Sequence, residues 1–353
     1  MPIDTTYYTT YDGKKTAELV FKPAVEKPAL SQFFKIVEGI KGKQAVYFID
    51  PAEFVTILDP GCGLGASQLT LNITGETWEL VDLKIWKWEC WTSLRGKVWE
   101  WMLKAGNQKA ELDGTDYADY MLEAVQSAAY HDLVRMAWFA DSTMLVGALA
   151  NSGELPFYKT FDGIWKRIFA AVTANKSAYV SLSEVNNNTT NPGQELPDGY
   201  ASGLFRKMWK KQQRELKALP MNQRQFLVTD SLYQNYLEER EAALGVGIEA
   251  AYVLIADGIK TLTYRGVPLQ VVDEWDIRIA SSFTIAGVAD LPHRAILTQF
   301  GNLQLSFDAL PTSSATSNPL RVWNNIDTEK WNARSTYSAG AQIANKGLLV
   351  AAY

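Results

Sequence analysis

Polar and apolar positions alternate along the first quarter of the chain in the way that strands require. After a polar N-terminal stretch rich in Thr and Tyr, short apolar runs at 45–49 and 54–58 each stop at an Asp-Pro pair. Leu69, Leu71 and Ile73 then alternate with polar residues, and an apolar run follows from 77 to 91. This period of two predicts strands between 44 and 91, the last of them covered on both faces.

The middle of the chain changes to the period of helices. Apolar residues recur at helical spacing from Tyr117 to Met136, behind Thr115 as an N-cap and Asp116 in the first turn. This pattern predicts a helix at 115–139, a rod of roughly 37 Å. Further helices are predicted at 93–104, 162–175, 201–219 and 231–244. The polar segment 186–199, with its Asn-Pro-Gly and Pro-Asp-Gly turns, is predicted to be a loop and a subdomain boundary.

The last third of the chain favours short strands. Strands are predicted at 226–228 and 252–256, followed by a hairpin that turns at Arg265-Gly266. Beyond 272 only strand and loop are predicted, with residues 311–319 as a flexible connection. Helices mixed with antiparallel-type strands, without regular strand–helix alternation, predict an α+β fold.

Composition adds two restrictions to this picture. The 353 residues exceed what one compact core usually holds, so two or more subdomains are expected. The 12 Trp residues fit either a Trp-rich core or large subunit interfaces, and both interpretations stay open. The net charge of −5 argues against a dedicated nucleic-acid binder, while loose contact with DNA through one basic face remains compatible with it.

The sequence carries no targeting or metal-binding signature. No basic start precedes an apolar stretch at the N-terminus, and no apolar run approaches the roughly 20 residues that span a bilayer. Cys62 and Cys90 are compatible with a disulfide, although two thiols of a cytoplasmic protein fit the expected compartment better. Together with His131 and His293 they cannot form a Cys-rich zinc site, and we expect no metal.

One glycine motif points to an enzyme. Residues 57–65, Ile-Leu-Asp-Pro-Gly-Cys-Gly-Leu-Gly, resemble the first motif of S-adenosylmethionine-dependent methyltransferases. That fold requires a helix directly after the glycines, whereas residues 68–74 alternate as a strand. Glu79 and Asp82 lie near the distance expected for a ribose contact, but inside an apolar run rather than at its end. A glycine turn is therefore the better interpretation, with no cofactor, and the methyltransferase is the alternative.

The remaining candidate groups favour structural roles. His131 falls in the middle of the predicted long helix, on its solvent or subunit side, and His293 falls in a loop; no catalytic motif surrounds either. The tryptophans between 78 and 101 follow strand and helix spacing, which indicates packing rather than stacking on sugars or bases. The basic helix around Lys210 fits a solvated face, a DNA contact, or pairing with the acidic helix around Glu239 of an adjacent subunit.

The order of these elements resembles the Hong Kong 97-type capsid fold, which tailed phages share with encapsulins. Three stretches are similar to the extended-loop region of capsid proteins from phages of Bacteroidetes hosts: 39–43, 58–63 and the alternating 69–73, followed by Cys90. Residues 264–269 resemble the axial-domain hairpin of those proteins, and residues 294–308 resemble their return strands.

The resemblance implies an architecture and a function. It implies an N-terminal arm at 1–38, an extended loop at 39–88, a peripheral domain at 89–194 with a spine helix at 115–139, an axial domain at 195–293 and return strands at 294–353. The implied function is that of a major capsid protein, without enzymatic activity, whose hexamers and pentamers form an icosahedral head around double-stranded DNA. The protein would be assembled in the bacterial cytoplasm and reside in the virion.

The implied partners are further copies of the chain, a portal, a separate scaffold or decoration protein, and packaged DNA through non-specific contacts, with no membrane. The loop from Lys43 to Lys84 is expected to lie over an adjacent subunit, with Trp86 and Trp88 as anchors near its base. The full set of expected interface residues is Trp78, Trp86, Trp88, Gly61 and Gly63. A cellular encapsulin-like compartment shell is the second alternative to the phage capsid.

Overall fold

The computed structural model describes residues 8–10, 28–40, 43–50, 72–90, 116–174, 178–187, 194–244, 252–254, 260–307, 321–325, 328 and 330–353. Within these ranges the helices are α1 Pro28–Ser31, α2 Asp116–Phe139, α3 Leu155–Tyr158, α4 Ile164–Thr173, α5 Ser183–Asn186, α6 Tyr200–Lys211, α7 Arg214–Ala218, α8 Asp230–Leu244 and α9 Asp273–Ser282. The strands are β1 Tyr8–Thr10, β2 Lys35–Glu38, β3 Lys43–Asp50, β4 Asn72–Glu79, β5 Val81–Cys90, β6 Ala178–Val180, β7 Arg224–Val228, β8 Tyr252–Leu254, β9 Lys260–Tyr264, β10 Val267–Val271, β11 Thr284–Ile285, β12 Val288–Ala289, β13 Ala295–Gln299, β14 Leu303–Phe307, β15 Arg321–Asn325, β16 Lys330–Ile343 and β17 Leu349–Ala352.

A seven-stranded sheet has the strand order β6-β17-β13-β7-β10-β9-β8. The predicted hairpin at Arg265-Gly266 is confirmed as the antiparallel pair β9–β10. Strand directions are mixed, because β7 runs parallel to β10 and β17 runs parallel to β6. The expectation of antiparallel-type strands is therefore wrong in part: helices connect strands that lie far apart in the chain, and such connections permit parallel pairing.

Both faces of this sheet are buried, which explains the unbroken apolar runs of its strands. On β7, Phe226 and Val228 face one side, packing with helices α6 and α8, and Leu227 faces the other, packing with α2, α4 and α9. We call the α2–α4–α9 side the first core and the α6–α8 side the second core. In the first core the Trp275 ring makes edge-to-face contacts with two other tryptophans. Its centroid lies 5.0 Å from that of Trp138 and 4.9 Å from that of Trp165.

A second sheet is built on the 14-residue strand β16. Its order is β1-β15-β16-β14-β2, and β5 pairs with the other edge of β16. The β5–β16 ladder is antiparallel and runs from Val81 opposite Ala339 to Cys90 opposite Lys330. A Cβ on Gly340 would lie 2.7 Å from the carbonyl oxygen of Glu79, so only glycine lets β16 approach the β4–β5 corner this closely.

Strands β3 and β4 form a separate antiparallel hairpin, in register from Lys43 opposite Glu79 to Asp50 opposite Asn72. The glycine motif at 57–65 lies outside the described residues, between these two strands in sequence. A methyltransferase motif joins a strand to a helix and then to a parallel strand. The flanking strands β3 and β4 pair antiparallel and so do not themselves form such a unit. The strand predicted at 54–58, directly before the motif, also lies outside the described residues.

Several predicted helices are confirmed, and two predictions need correction. The long helix predicted at 115–139 is α2, with 24 residues. The helix predicted at 201–219 is in fact two, because Gln212 is extended (φ −55°, ψ 136°) and its side-chain oxygen accepts a 2.8 Å hydrogen bond from Arg224. Helix α9 was predicted to be strand or loop. The helix predicted at 93–104 lies outside the described residues.

The fold class is α+β, as predicted. No helix in the described part of the chain combines the length and the apolar character needed to cross a bilayer. The division into arm, extended loop and two domains stays a prediction. The first core takes side chains from both sheets, so the two sheets share one packed interior.

Candidate interaction surface on the long strand pair

Along β5, successive side chains point to opposite faces of the sheet. Val81, Leu83 and Ile85 are half-buried and pack against the first core. Trp86 and Trp88 lie on the opposite side, with 55% and 57% of their surface exposed. The prediction that Leu83 and Ile85 point one way and the two tryptophans the other is confirmed. The prediction that this strand is covered on both faces is wrong for the single chain. Because Trp86 and Trp88 remain exposed, β5 belongs to a sheet that is packed on one face and open on the other.

The partner strand extends the open side. Opposite Trp86 stands Arg334, and opposite Trp88 stands Asn332. We call this surface the tryptophan face; its members are Asp82, Lys84, Trp86 and Trp88 of β5 with Lys330, Asn332, Arg334, Thr336 and Ser338 of β16. At one end of it, the Ser338 hydroxyl donates a 2.5 Å hydrogen bond to the Asp82 carboxylate.

Cations lie over both indole rings. The Lys84 Nζ atom is 3.8 Å from the centroid of the Trp86 ring, and the Lys330 Nζ atom is 4.0 Å from that of Trp88. The Arg334 guanidinium carbon lies 5.9 Å from the Trp86 ring. Cation–π contacts of this kind orient the indoles and contribute about 0.5–1 kcal/mol each when exposed to solvent. The surface therefore offers fixed aromatic faces surrounded by positive charge.

The buried side of β16 fixes the strand in place. Ala333, Ser335 and Tyr337 alternate with the β16 residues of the tryptophan face and are 5% exposed or less. Burial raises the pKa of the Tyr337 hydroxyl well above its usual range, with the nearby Asp132 carboxylate raising it further. A strand held this firmly on one side presents its other side as a rigid platform, which lowers the entropic cost of binding a partner.

The other expected interface residues have different positions. Trp78 is only 1% exposed, so it is a core residue of its own chain and the interface prediction for it is wrong. Gly61 and Gly63 lie outside the described residues, as does Cys62, so the interface prediction for the two glycines and the question of a Cys62–Cys90 disulfide stay open.

The structure places the two histidines in different surroundings, and only His293 has the hydrogen bonds of a structural histidine. His131 is exposed on α2. His293 is buried; its Nδ1 lies 2.7 Å from the Ser231 hydroxyl and its Nε2 lies 2.6 Å from the Gln194 carbonyl oxygen. Since a carbonyl only accepts, Nε2 carries the proton and Nδ1 accepts from Ser231. Burial lowers the pKa of His293. The ring joins α8, the 194–199 loop and the start of β13.

Sequence reasoning missed a buried cation. The Arg294 side chain is 3% exposed and lies 5.0 Å from the Trp165 ring and 5.4 Å from the Phe139 ring. It donates to the carbonyl oxygens of Leu291 and Asp290 at 2.8 and 2.9 Å. Burial lowers its pKa to about 10. Since its buried guanidinium holds the 290–291 backbone against the Trp165 and Phe139 rings, this arginine is a structural element of the first core.

The described residues contain no group of three or more His, Cys, Asp or Glu side chains arranged to hold a metal ion. The candidate site is the tryptophan face, because two tryptophans there are more than half exposed.

No protein-family model and no curated protein matches the chain. Solved structures do match. A chain of the satellite phage P4 procapsid, a structure that includes the size determination (Sid) protein, has a TM-score of 0.56 at 10% identity, over 96% of this chain and 98% of that one. Mycobacterium phage Che8 gives 0.46 at 11% identity, over 100% and 94%. A virus-like particle from Pyrococcus furiosus gives 0.44 at 10%, over 96% and 98%. The fold is thus similar to that of Hong Kong 97-type capsid proteins.

Proposed function

We propose that this chain is the major capsid protein of a tailed bacteriophage. In this proposal its hexamers and pentamers form the icosahedral head that encloses double-stranded DNA, and the protein acts as a structural component rather than as an enzyme. It is assembled in the host cytoplasm and resides in the virion. The resemblance to capsid proteins of phages from Bacteroidetes hosts is part of the same proposal.

A fold by itself assigns no function, so the proposal needs a site that serves it. The tryptophan face carries it: Trp86 and Trp88 leave more than half of their surface in solvent on a rigid strand pair. Exposed tryptophans close together are typical of protein–protein interfaces, in which Trp, Tyr and Arg provide most of the binding energy. Each indole buried against a second copy would contribute on the order of 2 kcal/mol or more.

The partner of this face is, in the proposal, a neighbouring copy of the chain. The loop from Lys43 to Lys84 reaches over an adjacent subunit with its outer part, because Trp78 is buried and the segment 81–84 pairs with β16 within its own chain. Trp86 and Trp88 pack near the base of this loop. Portal, a separate scaffold or decoration protein, and DNA held by non-specific contacts complete the set of partners. An encapsulin-like compartment would build a similar shell around a cargo protein, and particles purified with nuclease-protected DNA distinguish the phage capsid from it.

The test is assembly of the full chain, followed by size-exclusion chromatography and negative-stain microscopy. We expect rings of five and six subunits or closed shells from the wild type. The double variant Trp86→Ala/Trp88→Ala should remain monomeric with an unchanged thermal midpoint, because both side chains are exposed in the single chain. Trp86→Phe/Trp88→Phe keeps aromatic faces and should assemble at reduced yield.

Ile277→Ala is the matched control, since Ile277 is 54% exposed on α9, away from the tryptophan face. It should assemble like the wild type. A wild-type chain that stays monomeric over the whole accessible range of concentration and salt would contradict the proposed function. Assembly by the double alanine variant would show that the tryptophan face is no interface.

A further inference from the structure

Helix α6 presents a row of positive charge to solvent. Its buried side consists of Ala201, Leu204, Phe205 and Met208, which pack into the second core. Its exposed side carries four cations, which we call the basic stripe: Arg206, Lys207, Lys210 and Lys211. The spacing of three and four residues between them places all four on one face of the helix.

A groove of opposite charge lies beside helix α8. Its walls are the 194–199 loop and the outer side of α8, and cavities of about 470 and 390 Å³ lie along it. Four carboxylates line these cavities, and we call the site the acidic groove: Glu195, Asp198, Glu238 and Glu239. Glu195, Asp198 and Glu238 are exposed. The Oε2 atom of Glu239 is shielded from solvent and accepts no hydrogen bond from the described residues.

The groove is a fixed feature of the fold. The Asn235 side chain of α8 donates to the Pro197 carbonyl oxygen at 2.9 Å and accepts from the Ala201 amide at 2.9 Å. These two bonds bracket the turn at Gly199, whose φ of 69° suits glycine. The loop backbone is thereby fastened to α8, so the backbone positions that carry the four carboxylates keep their spacing without a bound partner.

The two charged surfaces do not neutralise each other within one chain. Helices α6 and α8 pack side by side over the same face of the seven-stranded sheet. The ion pairs formed among the described residues, however, join other side chains: Arg135–Asp132, Lys166–Asp141, Arg278–Glu274, Arg294–Asp290 and Lys346–Glu76. The four cations of the stripe and the groove carboxylates Glu195, Asp198 and Glu238 are therefore exposed and form no ion pair among the described residues.

We propose that the basic stripe of one copy binds the acidic groove of the next copy around a ring. The proposal rests on the proposed shell function and names the contact that sets subunit order within a ring. Two different, complementary patches on one chain make a heterologous, head-to-tail contact, and such a contact closes into a ring when the rotation between copies permits. The charges steer association and fix the register.

Charge balance favours a second copy over nucleic acid as the occupant of the basic stripe. The chain as a whole carries a net charge of −5, whereas nucleic-acid-binding domains are usually basic. The same chain also supplies a fixed acidic groove with a matching number of charges. A DNA contact would account for the stripe and leave the groove, with its shielded Glu239 oxygen, unexplained.

The test uses charge reversal in the full chain. The basic-stripe variant is Arg206→Glu/Lys207→Glu, at positions before the last turn of α6, where the helix dipole is little perturbed. The groove variant is Glu195→Lys/Glu238→Lys. We expect each to lower the yield of assembled rings at least tenfold, with unchanged circular dichroism. The combined four-site variant keeps the wild-type net charge and should recover ring assembly.

Mixing the two double variants gives a sharper result. In the mixture each chain binds the other type better than its own. The unaltered acidic groove of the basic-stripe variant meets the unaltered basic stripe of the groove variant, and at the next contact the reversed residues of the two altered surfaces face each other. A chain paired with its own type instead sets an unaltered surface against an altered one that carries no net charge. Rings must then alternate, so six-membered rings should form and five-membered rings should be absent. Microscopy and native mass spectrometry count the members of each ring. The control Lys35→Glu/Lys159→Glu has the same change in net charge at exposed sites outside α6 and α8, and should assemble normally.

The outcomes separate this inference from the proposed function. Wild-type shells together with normal assembly by both double variants would overturn the stripe–groove contact and leave the shell function standing. Normal assembly combined with lost binding of a short DNA duplex by Arg206→Glu/Lys207→Glu would assign the stripe to nucleic acid instead. Equal loss of assembly in the control would attribute the effect to net charge. Rescue by the four-site variant and even-membered rings in the mixture support the contact.

Discussion

The two sheets of this protein differ in how their faces are covered. The seven-stranded sheet is covered on both sides by helices, and Phe226, Leu227 and Val228 of β7 are all fully buried. The β5–β16 pair is covered on one side only, where Tyr337 is buried, and it leaves Trp86 and Trp88 in solvent on the other. The same kinds of side chain are therefore used for internal stability in one region and remain available for a partner in the other.

This difference shows that the chain uses some of its aromatic residues for folding and others for assembly. A tryptophan in the first core stabilises the folded single chain, because its packing contacts are made within that chain. A tryptophan on the tryptophan face contributes little to the single chain, and its contribution comes when a second copy covers it. Stability of the monomer and strength of assembly are then set by separate residues, which mutations can change independently.

The largest expected effect comes from the first core. Trp275→Ala removes a fully buried ring that contacts Trp138 and Trp165 at 5.0 and 4.9 Å. We expect a loss of about 4 kcal/mol in the free energy of unfolding, from lost burial and the cavity left behind. Urea denaturation of the unassembled chain, followed by far-ultraviolet circular dichroism, measures this loss.

Trp88→Ala is the matched control, since it is the same chemical change on the open strand pair. It should alter the free energy of unfolding of the single chain by no more than about 0.5 kcal/mol. Comparable losses from the two variants would break the comparison, because they would mean that the tryptophan face already contributes to the stability of the monomer.

A smaller effect is expected at the first turn of α9, on the border of the first core. Burial raises the pKa of Asp276 to about 6, with the Asp230 and Asp273 carboxylates adding to the shift. Since the unfolded value is about 3.9, the protonated form is favoured by the fold. This contribution to stability is complete below pH 4 and is lost as the pH rises through 6.

Asp276→Asn mimics the protonated carboxyl, and its side-chain oxygen still accepts the 2.9 Å hydrogen bond from the Asp230 amide. We expect the variant to be more stable than the wild type at pH 7.5 by about 1 kcal/mol, a value reduced for partial solvent screening. At pH 4 the difference should vanish. A difference of the same size at both pH values would contradict the assignment, and assembly through the tryptophan face should be unaffected at either pH.

The smallest expected effect concerns the cation over Trp88. A double-mutant cycle between Lys330→Ala and Trp88→Ala should give a coupling of about 0.5 kcal/mol in the single chain, because the pair is exposed. Lys159→Ala, an exposed lysine away from the pair, should give none. In assembled particles the coupling should rise towards about 2 kcal/mol as the pair is desolvated. An unchanged coupling after assembly would show that this pair stays in water.

Much of the fold follows from local patterns in the sequence. The helical spacing of apolar residues between Tyr117 and Met136 is sufficient to predict α2. The Arg265-Gly266 pair is sufficient to predict the hairpin. Helix α9 was missed although its signals are present: Trp275 and Ile279 are four residues apart behind an acidic first turn. The break after α6 depends on a contact between Gln212 and Arg224, which no local pattern reveals.

The candidate surface was predicted in part for the same reason. Alternation along β5 is a local property, and it placed Trp86 and Trp88 on one side and Leu83 and Ile85 on the other. Whether a tryptophan is covered depends on which strands meet, so the burial of Trp78 could not be read from its neighbours in sequence. The acidic groove is likewise tertiary, because Asn235 brings the 194–199 loop onto α8.

The pairing of β5 with β16 also has a consequence for timing during synthesis. Asp82 and its hydrogen-bond partner Ser338 are 256 residues apart in the chain. While a ribosome is still translating the region between them, β5 has no partner strand and the two tryptophans have no platform. Nascent chains on one messenger therefore cannot recognise each other through this surface, because it first exists after β16 has left the exit tunnel. Translation itself therefore delays association through this surface until each subunit can fold, and until then β5 is an unpaired strand.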